Sequence, residues 1–522
     1  MKPPTILIAA FGLLTIHCFA DEAHEQVLFS FDDVSIPWHD NLKLTLVQPK
    51  KHPANPVLKP GAQDSVDGMG ALLYGTVIKE GDTFRMWYIA WPQPDKRFKN
   101  EQYYRPVAYA ESRDGVTWVK PELGLVGFRG SKANNLVRIE PAAEEFARTN
   151  DYVSVLLDAD DPDPARRYKM AYIVYDRPDH FSTTATAVSA DGLSWKLANT
   201  KPFTKGHFEN SSLIRFGGSY FLTGQNVGRA GGHLVDGMDA GRMMAGFFSP
   251  DFVHWSGGRA IDFFRTPANA SPANLGQELH MGAGLWNRGN VVLGLYGRWY
   301  GDTISTAPDK KKISPAHGLK VDLGLLISND AIHYREPVQN FIVVPRGAVN
   351  EWDSEAILQG QAFYNTPTET MIWYSHWSAS NPYPVPPIPA KIEGKPMGVG
   401  LLTMRRDGFG YLSKQVLEVP EKPSVLRRDT EASVLTQRMT LTERMKLFIN
   451  ADGLSETSEM QVSVVDDAES LLAETAVAAV KESGVRVPVR LELPMGKAFR
   501  LRVQWPSGKA DPHFYAMYLS HE

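Results

Sequence analysis

A serine, an aspartate two residues on and an aromatic residue four beyond that recur along this chain, and they restrict what it can fold into. Ser112-Arg-Asp-Gly-Val-Thr-Trp118 and Ser189-Ala-Asp-Gly-Leu-Ser-Trp195 are the fullest copies. Ser249-Pro-Asp-Phe-Val-His-Trp255 and Ser328-Asn-Asp-Ala-Ile-His-Tyr334 keep the three marked residues, and Arg405-Arg-Asp-Gly-Phe-Gly-Tyr411 is a degraded fifth. Asp-Gly is a tight-turn dipeptide, because glycine supplies the positive φ that a two-residue hairpin demands. The aspartates lie 77, 60, 79 and 77 residues apart. Five such turns at comparable spacing make a repeat.

Between the turns the same elements return. Period-2 apolar runs predict strands over 152–157, 168–175 and 184–189, followed by Trp195. The matching strand pairs are 72–78 with 84–90, 212–216 with 220–224, 283–286 with 291–296, and 356–363 with 371–377. Four-stranded units in up-and-down order, without helical periodicity, predict an all-β chain whose residues 50–415 form a five-bladed β-propeller. Beyond Pro420-Glu-Lys-Pro423 the alternation changes over 439–449, 459–465, 485–493, 499–505 and 514–519, which predicts an accessory β-sandwich over residues 416–522. Two long loops, the glycine-rich 226–242 and the proline-rich 381–396, are expected at the rim.

Residues 1–20 read as a secretory signal peptide. Lys2 precedes the apolar run 6–16, and Cys18 and Ala20 offer small residues for cleavage. The run is too short to span a bilayer. Thr15 and His17 stand where a lipoprotein signal has leucine and a small residue. Cleavage removes the only cysteine, so the exported protein, secreted or periplasmic, is expected to lack disulfides, metal thiolates and a cysteine nucleophile. Residues 21–49 hold one strand pattern, at 27–31, for which closure of the propeller is a candidate role. A formal net charge of −4 offers no basic face for nucleic acid or an anionic membrane. Oligomeric state is not indicated.

The innermost strands of a propeller line its axis, so residues at their starts converge at one mouth. Aligning the five starts gives Asp64 and Asp67, Asn150 and Asp151, His207 and Glu209, Glu278 and His280, and Asp353 and Glu355. Each blade therefore carries a carboxylate where a core-facing strand should be apolar. One such residue is accounted for as a turn or strand cap. Five like charges around a narrow axis call for catalysis or a bound cation such as calcium, although no cofactor is required. Paired carboxylates are what glycosidic cleavage needs, one giving a proton to the leaving oxygen and the other attacking or activating water. Trp87, Trp91, Trp286, Trp299, Trp373 and Trp377 lie on or beside the strands. They suit sugar faces, or else packing between blades.

Asn55-Pro-Val-Leu58, Phe84-Arg-Met-Trp-Tyr88, Tyr109-Ala-Glu-Ser-Arg-Asp-Gly-Val-Thr-Trp118, Gly130-Ser-Lys-Ala-Asn-Asn135 and Arg167-Tyr-Lys-Met170 resemble segments of the five-bladed propeller glycoside hydrolases, families 32, 43, 117 and 130 and their relatives. The resemblance covers residues 50–415. It implies a carbohydrate substrate, with Asp67 (or Asp64) as base or nucleophile, Asp151 as the residue that tunes the acid, and Glu209 as proton donor. His207, Trp91, Glu278, His280, Asp353 and Glu355, with Asp64, would then bind substrate. The Trp-Met-Asn-Asp-Pro-Asn, Arg-Asp-Pro and Glu-Cys motifs of family 32 are absent, so sucrose and fructan chemistry is not implied. A carbohydrate-binding propeller without catalysis, and a phosphorylase of the family-130 kind using Arg229, Arg242 or Arg298 for phosphate, are the alternatives. A sialidase would need an arginine cluster that the sequence does not assemble.

Overall fold

The computed structural model describes residues 25–93, 105–140, 152–176, 181–199, 208–226, 234–235, 238–239, 242–265, 278–300, 320–378, 395, 397–415, 431–473 and 476–521. These residues are all-β, with a short 3-10 turn at Pro164–Arg166. None of their helices is long and apolar enough to cross a membrane. The leader and most of both long loops lie outside the described residues.

Five antiparallel groups follow one another. Group one runs Gly70–Glu80, Thr83–Trp91, Val107–Ser112 and Trp118–Val119. Group two runs Ser154–Leu157, Tyr168–Asp176, Phe181–Ser189 and Ser194–Leu197. Group three runs Phe208–Phe216, Ser219–Asn226, Met243–Ser249 and Ala260–Phe264. Group four has Glu278–Asn287, Val292–Tyr300 and Lys320–Ser328. Group five has Ala356–Asn365, Glu369–Trp377 and Val399–Arg405, and its fourth strand comes from far upstream: Lys50–Lys51 pairs with Val399–Arg405. The first strands pack on one another in order, and the fifth packs on the first, so the groups close into a ring.

The repeated turn has one physical design. Asp114 Oδ1 accepts the amides of Val116 (2.8 Å) and Thr117 (2.7 Å), and the Ser112 hydroxyl accepts the Gly115 amide at 2.9 Å. Asp191, Asp251 and Asp330 hold the two amides beyond their own turns in the same way. Burial pushes the Asp114 carboxyl up, but the bonds from Thr117, Val116 and Ser112 outweigh it and hold it at about 2. The fifth copy departs from this pattern. Asp407 is buried and accepts from Arg288 and from Asn365 Nδ2 (3.0 Å), because its turn lies against the late strand residue Tyr518 instead of in solvent.

Neighbouring groups lock together at these turns. Gly192 O accepts Trp195 Nε1 of its own group at 3.0 Å and Trp87 Nε1 of group one at 2.7 Å. Gly115 O likewise accepts Trp118 Nε1 at 3.0 Å and Trp373 Nε1 of group five at 2.8 Å. Where the preceding group offers Ala171 in place of tryptophan, the turn carries Phe252, and the two share one apolar cluster.

Arg138–Ile139 adds to the second group, Leu234–Val235 and Met238–Asp239 pair with each other, and twelve further strands make two six-stranded sheets. One contains Leu42–Leu46, Gly410–Lys414, His513–Ser520, Lys446–Asp452 and Gly484–Val489, and Gln26–Phe29 pairs with His513–Ser520. The other contains Trp38–Asp40, Ser433–Leu435, Ala498–Gln504, Met460–Val465 and Val477–Val480, with Met439–Thr440 against Ala498–Gln504. Leu447, Ile449 and Phe514 of the first meet Val462, Leu501 and Val503 of the second in a shared core. Residues 26–46 are thus integral to these sheets, and Gly410–Lys414 joins them instead of the ring.

Candidate active site

The ring's first strands are not regular, and their irregularity builds the site. Bulges interrupt them at Leu72/Thr76, Asn210/Ser212, His280/Ala283 and Gln359/Phe363. Polar side chains at the bulges reach sideways to the next strand. Thr76 Oγ1 accepts the Val155 amide at 2.9 Å, and Ser212 Oγ donates to Ala283 O at 2.9 Å. Gln361 bonds both backbone groups of Leu213, at 3.0 and 2.8 Å. The backbones approach so closely that a Cβ on Gly284 would stand 2.1 Å from Gly360 O. Bulges of this kind re-aim side chains at functional rims.

At the starting ends of these strands the side chains form one contiguous patch. Glu209, half-buried, faces Gln225 in register, and Gln225 Nε2 donates to Glu209 Oε2. Gln225 Oε1 accepts the Met281 amide at 2.9 Å. Met281 and Gly282 both take left-handed φ, 64° and 66°, which turns the bulge toward group three. Met281 packs with Tyr152, Ile173 and Tyr74, and the Tyr74 and Tyr152 rings meet edge to face at 4.8 Å.

Beside them, Arg242 Nη1 lies 3.0 Å from His280 Nδ1, and the guanidinium covers Trp299 at 4.0 Å. The His280 ring is parallel to Trp377 at 6.5 Å. Burial, and next the Arg242 charge, hold His280 well below the ordinary imidazole range, so it stays neutral. Trp91, Trp299 and Trp377 occupy one equivalent place, the end of the second strand, opposite Gly70, Glu278 and Ala356.

The predicted residues divide accordingly. Glu209 and His280 belong to this patch. Asp151 and His207 lie outside the described residues, and Glu278 is described in backbone only. Glu355 is half-buried just before its strand. Asp64 is exposed, with Arg129 at 3.7 Å. Trp91 is buried under the Arg105 guanidinium at 4.1 Å.

Asp67 is buried, and both its oxygens are engaged: by Gly61 N and Ser65 Oγ (both 3.1 Å), Tyr88 OH (2.8 Å) and Lys120. Asp353 repeats the motif with Tyr374 OH at 2.7 Å and Lys51 at 2.7 Å. Trp87 and Trp373 are packing residues between groups, and Trp286 stacks on Phe363 at 5.3 Å. The sequence reading passed over Gln225, Tyr74 and Tyr152. Only the repeat of tryptophan at the second-strand ends could have singled out Trp299 and Trp377 from the other indoles. Among the described residues no three His, Cys, Asp or Glu side chains group as a cation site requires.

No family model matches the sequence, and no curated protein does. Solved structures similar to the chain include glycoside hydrolases and a deacetylase. An N-acetylgalactosamine deacetylase from F. plautii, in complex with blood group B trisaccharide, is 15% identical with a TM-score of 0.44, covering 70% of this chain and 96% of that one. A glycosyl hydrolase from Bacteroides ovatus is 11% identical with a TM-score of 0.41, covering 68% and 94%. A family 43 arabinoxylan arabinofuranohydrolase from Bacillus subtilis is 10% identical with a TM-score of 0.39, covering 91% and 99%.

Proposed function

We propose that the five strand groups are the blades of a β-propeller, that the two six-stranded sheets are an accessory β-sandwich, and that the chain is an exported glycoside hydrolase with Glu209 as its general acid. The closed order of first strands supports the first assignment, and the shared core of the two sheets supports the second. Export rests on the leader pattern of residues 1–20. The observation that carries the activity is the setting of Glu209: a half-buried carboxylate at the starting end of the ring, joined through Gln225 to Met281, which packs on Tyr74 and Tyr152, while Trp299 and Trp377 flank neighbouring His280. Aromatic faces suit the C–H faces of a sugar ring.

In this reading the Glu209 proton passes to the glycosidic oxygen as the bond from the anomeric carbon breaks. That cleavage also needs a second carboxylate, to activate water or to attack directly, and Asp151 keeps the acid-tuning role that the resemblance implies. Asp67 takes no part, since its oxygens are committed to Tyr88, Lys120, Ser65 and Gly61. Glu209→Gln should lower kcat on natural oligosaccharides by about 10²- to 10⁴-fold. It should lose far less on dinitrophenyl glycosides, whose leaving group departs without protonation. An equal loss on both would remove Glu209 from the role.

A further inference from the structure

Two buried polar groups beside Glu209 have no part in that proton transfer. His280 is 6% exposed and Gln359 is 4% exposed. Arg242 lies 3.0 Å from His280 Nδ1. A guanidinium only donates, so Nδ1 is the acceptor and the ring proton sits on Nε2. Among the described residues no group hydrogen-bonds that Nε2. Gln359 is its complement. Its Nε2 donates to His280 O at 3.0 Å and Gly282 O at 2.8 Å, which fixes the amide orientation and leaves Oε1 on the opposite side of the amide. Among the described residues no donor meets Oε1 either.

Both groups border one glycine. Gly297 pairs with His280, and a Cβ there would stand 3.1 Å from His280 Cβ and 3.2 Å from Gln359 Oε1. The result is a donor-bearing ring and an acceptor that border the same glycine, with Trp299 and Trp377 flanking the His280 ring. Buried polar groups are matched in a working protein, and a hydroxyl, which both donates and accepts, matches this pair. A carboxylate or sulfate would meet the lone pair of Gln359 Oε1 and be repelled.

We propose that His280 Nε2–H and Gln359 Oε1 together hold a hydroxyl group of an uncharged sugar ring, and that Arg242 is the positioning residue that fixes the His280 tautomer. The proposal rests on reading this mouth as the carbohydrate site. It names the substrate as neutral at that ring, and it makes His280 a binding group that moves no proton.

The test uses full-length protein with ring-¹⁵N-labelled histidines, the His280 signals being assigned with His280→Gln. The probes are D-galactose, D-mannose, D-xylose and L-arabinose, with D-glucuronate as the charged control. In free protein His280 should show the Nε2–H tautomer, and Arg242→Met should convert it to a mixture. At least one neutral sugar should move the Nε2 signal, and glucuronate should not. Gln359→Met should weaken binding of that sugar by about tenfold, whereas Glu209→Gln should bind it unchanged even where hydrolysis is lost. That last variant separates this subsite from the acid assignment. An Nδ1–H tautomer in free protein overturns the proposal. So does an Nε2 signal that no neutral sugar moves, as with a buried water only, and so does Gln359→Met binding as tightly as wild type.

Discussion

Gly192 shows how much structure one missing side chain supports. Its φ is 75°, and a Cβ there would stand 2.7 Å from Trp87 Cζ2, so both backbone and neighbour demand glycine. Gly192→Ala should therefore lose about 2–4 kcal/mol, combining left-handed strain with overpacking. Gly218→Ala, at φ 84° but with no atom near the new Cβ, should lose only about 1 kcal/mol. Chemical denaturation of both variants checks this, and equal losses would deny the indole contact any part.

Asp262 is a residue-scale exception of another kind. It sits in a bulge of Ala260–Phe264, buried, with neither oxygen hydrogen-bonded among the described residues. Burial, and then the Asp330 charge, push its carboxyl up to about 8 from 3.8. As pH rises from about 4 the unfolded chain releases this proton while the folded chain keeps it. The stabilisation is thus whole below about pH 4 and is lost as pH rises through about 8. Relative to wild type, Asp262→Asn should melt with a flatter pH dependence between about pH 5 and 8. An identical slope in both would show that Asp262 ionises as an ordinary carboxylate.

At the scale of the element, Asp67 and Asp353 act as clamps. Each lies just before a first strand and gathers the tyrosine of the second strand and a lysine at the fourth. Removing one partner of a buried pair strands the other. Asp67→Asn and Lys51→Met should each lower stability by about 2–4 kcal/mol, read as a fall in Tm. An Asp67→Asn protein that melts like wild type but has no turnover would return Asp67 to catalysis.

The same elements show what was legible in the sequence. The Ser-x-Asp turns were, because their hydrogen bonds run between residues two or three apart. The early parts of Phe208–Phe216 and Glu278–Asn287 were not. Asn210, Ser211 and Gly282 break the alternation there, and the bulges they form are held from other strands, the first by Gln361 at Leu213 and the second by Gln225 and Gln359. Glu209 and His280 could be found by position along the repeat. The clamp role of Asp67 could not, since Lys120 is distant in the chain and an unpaired aspartate reads the same.

At the scale of the molecule, ring and sheets share an apolar core in which Phe29, Phe31 and Tyr518 meet Leu293, Leu325 and Leu402. Buried Arg288 crosses this boundary to Asp407 of the ring-derived turn and to Glu25 (3.2 Å), which also takes Arg486. Tyr518 OH donates to Asp407 at 3.0 Å. Arg288→Met removes the buried cation that Asp407 and Glu25 share, leaving them only Arg406 and Arg486, and should destabilise by about 3–5 kcal/mol. Calorimetry should show the two bodies melting separately in that variant, and a single unshifted transition would mean that the apolar contact suffices.

The pairing of Gln26–Phe29 with His513–Ser520 also sets an order of events during synthesis. The early strand emerges from the ribosome with no neighbour, and Lys50–Lys51 waits in the same way for Val399–Arg405. The ring cannot shut before Val399–Arg405 has been made, nor the sheets before His513–Ser520. A nascent chain stopped before Val399 should keep the Lys50–Lys51 edge open to proteases, and one stopped before His513 should keep Phe29 open, so that resistance arrives in two steps.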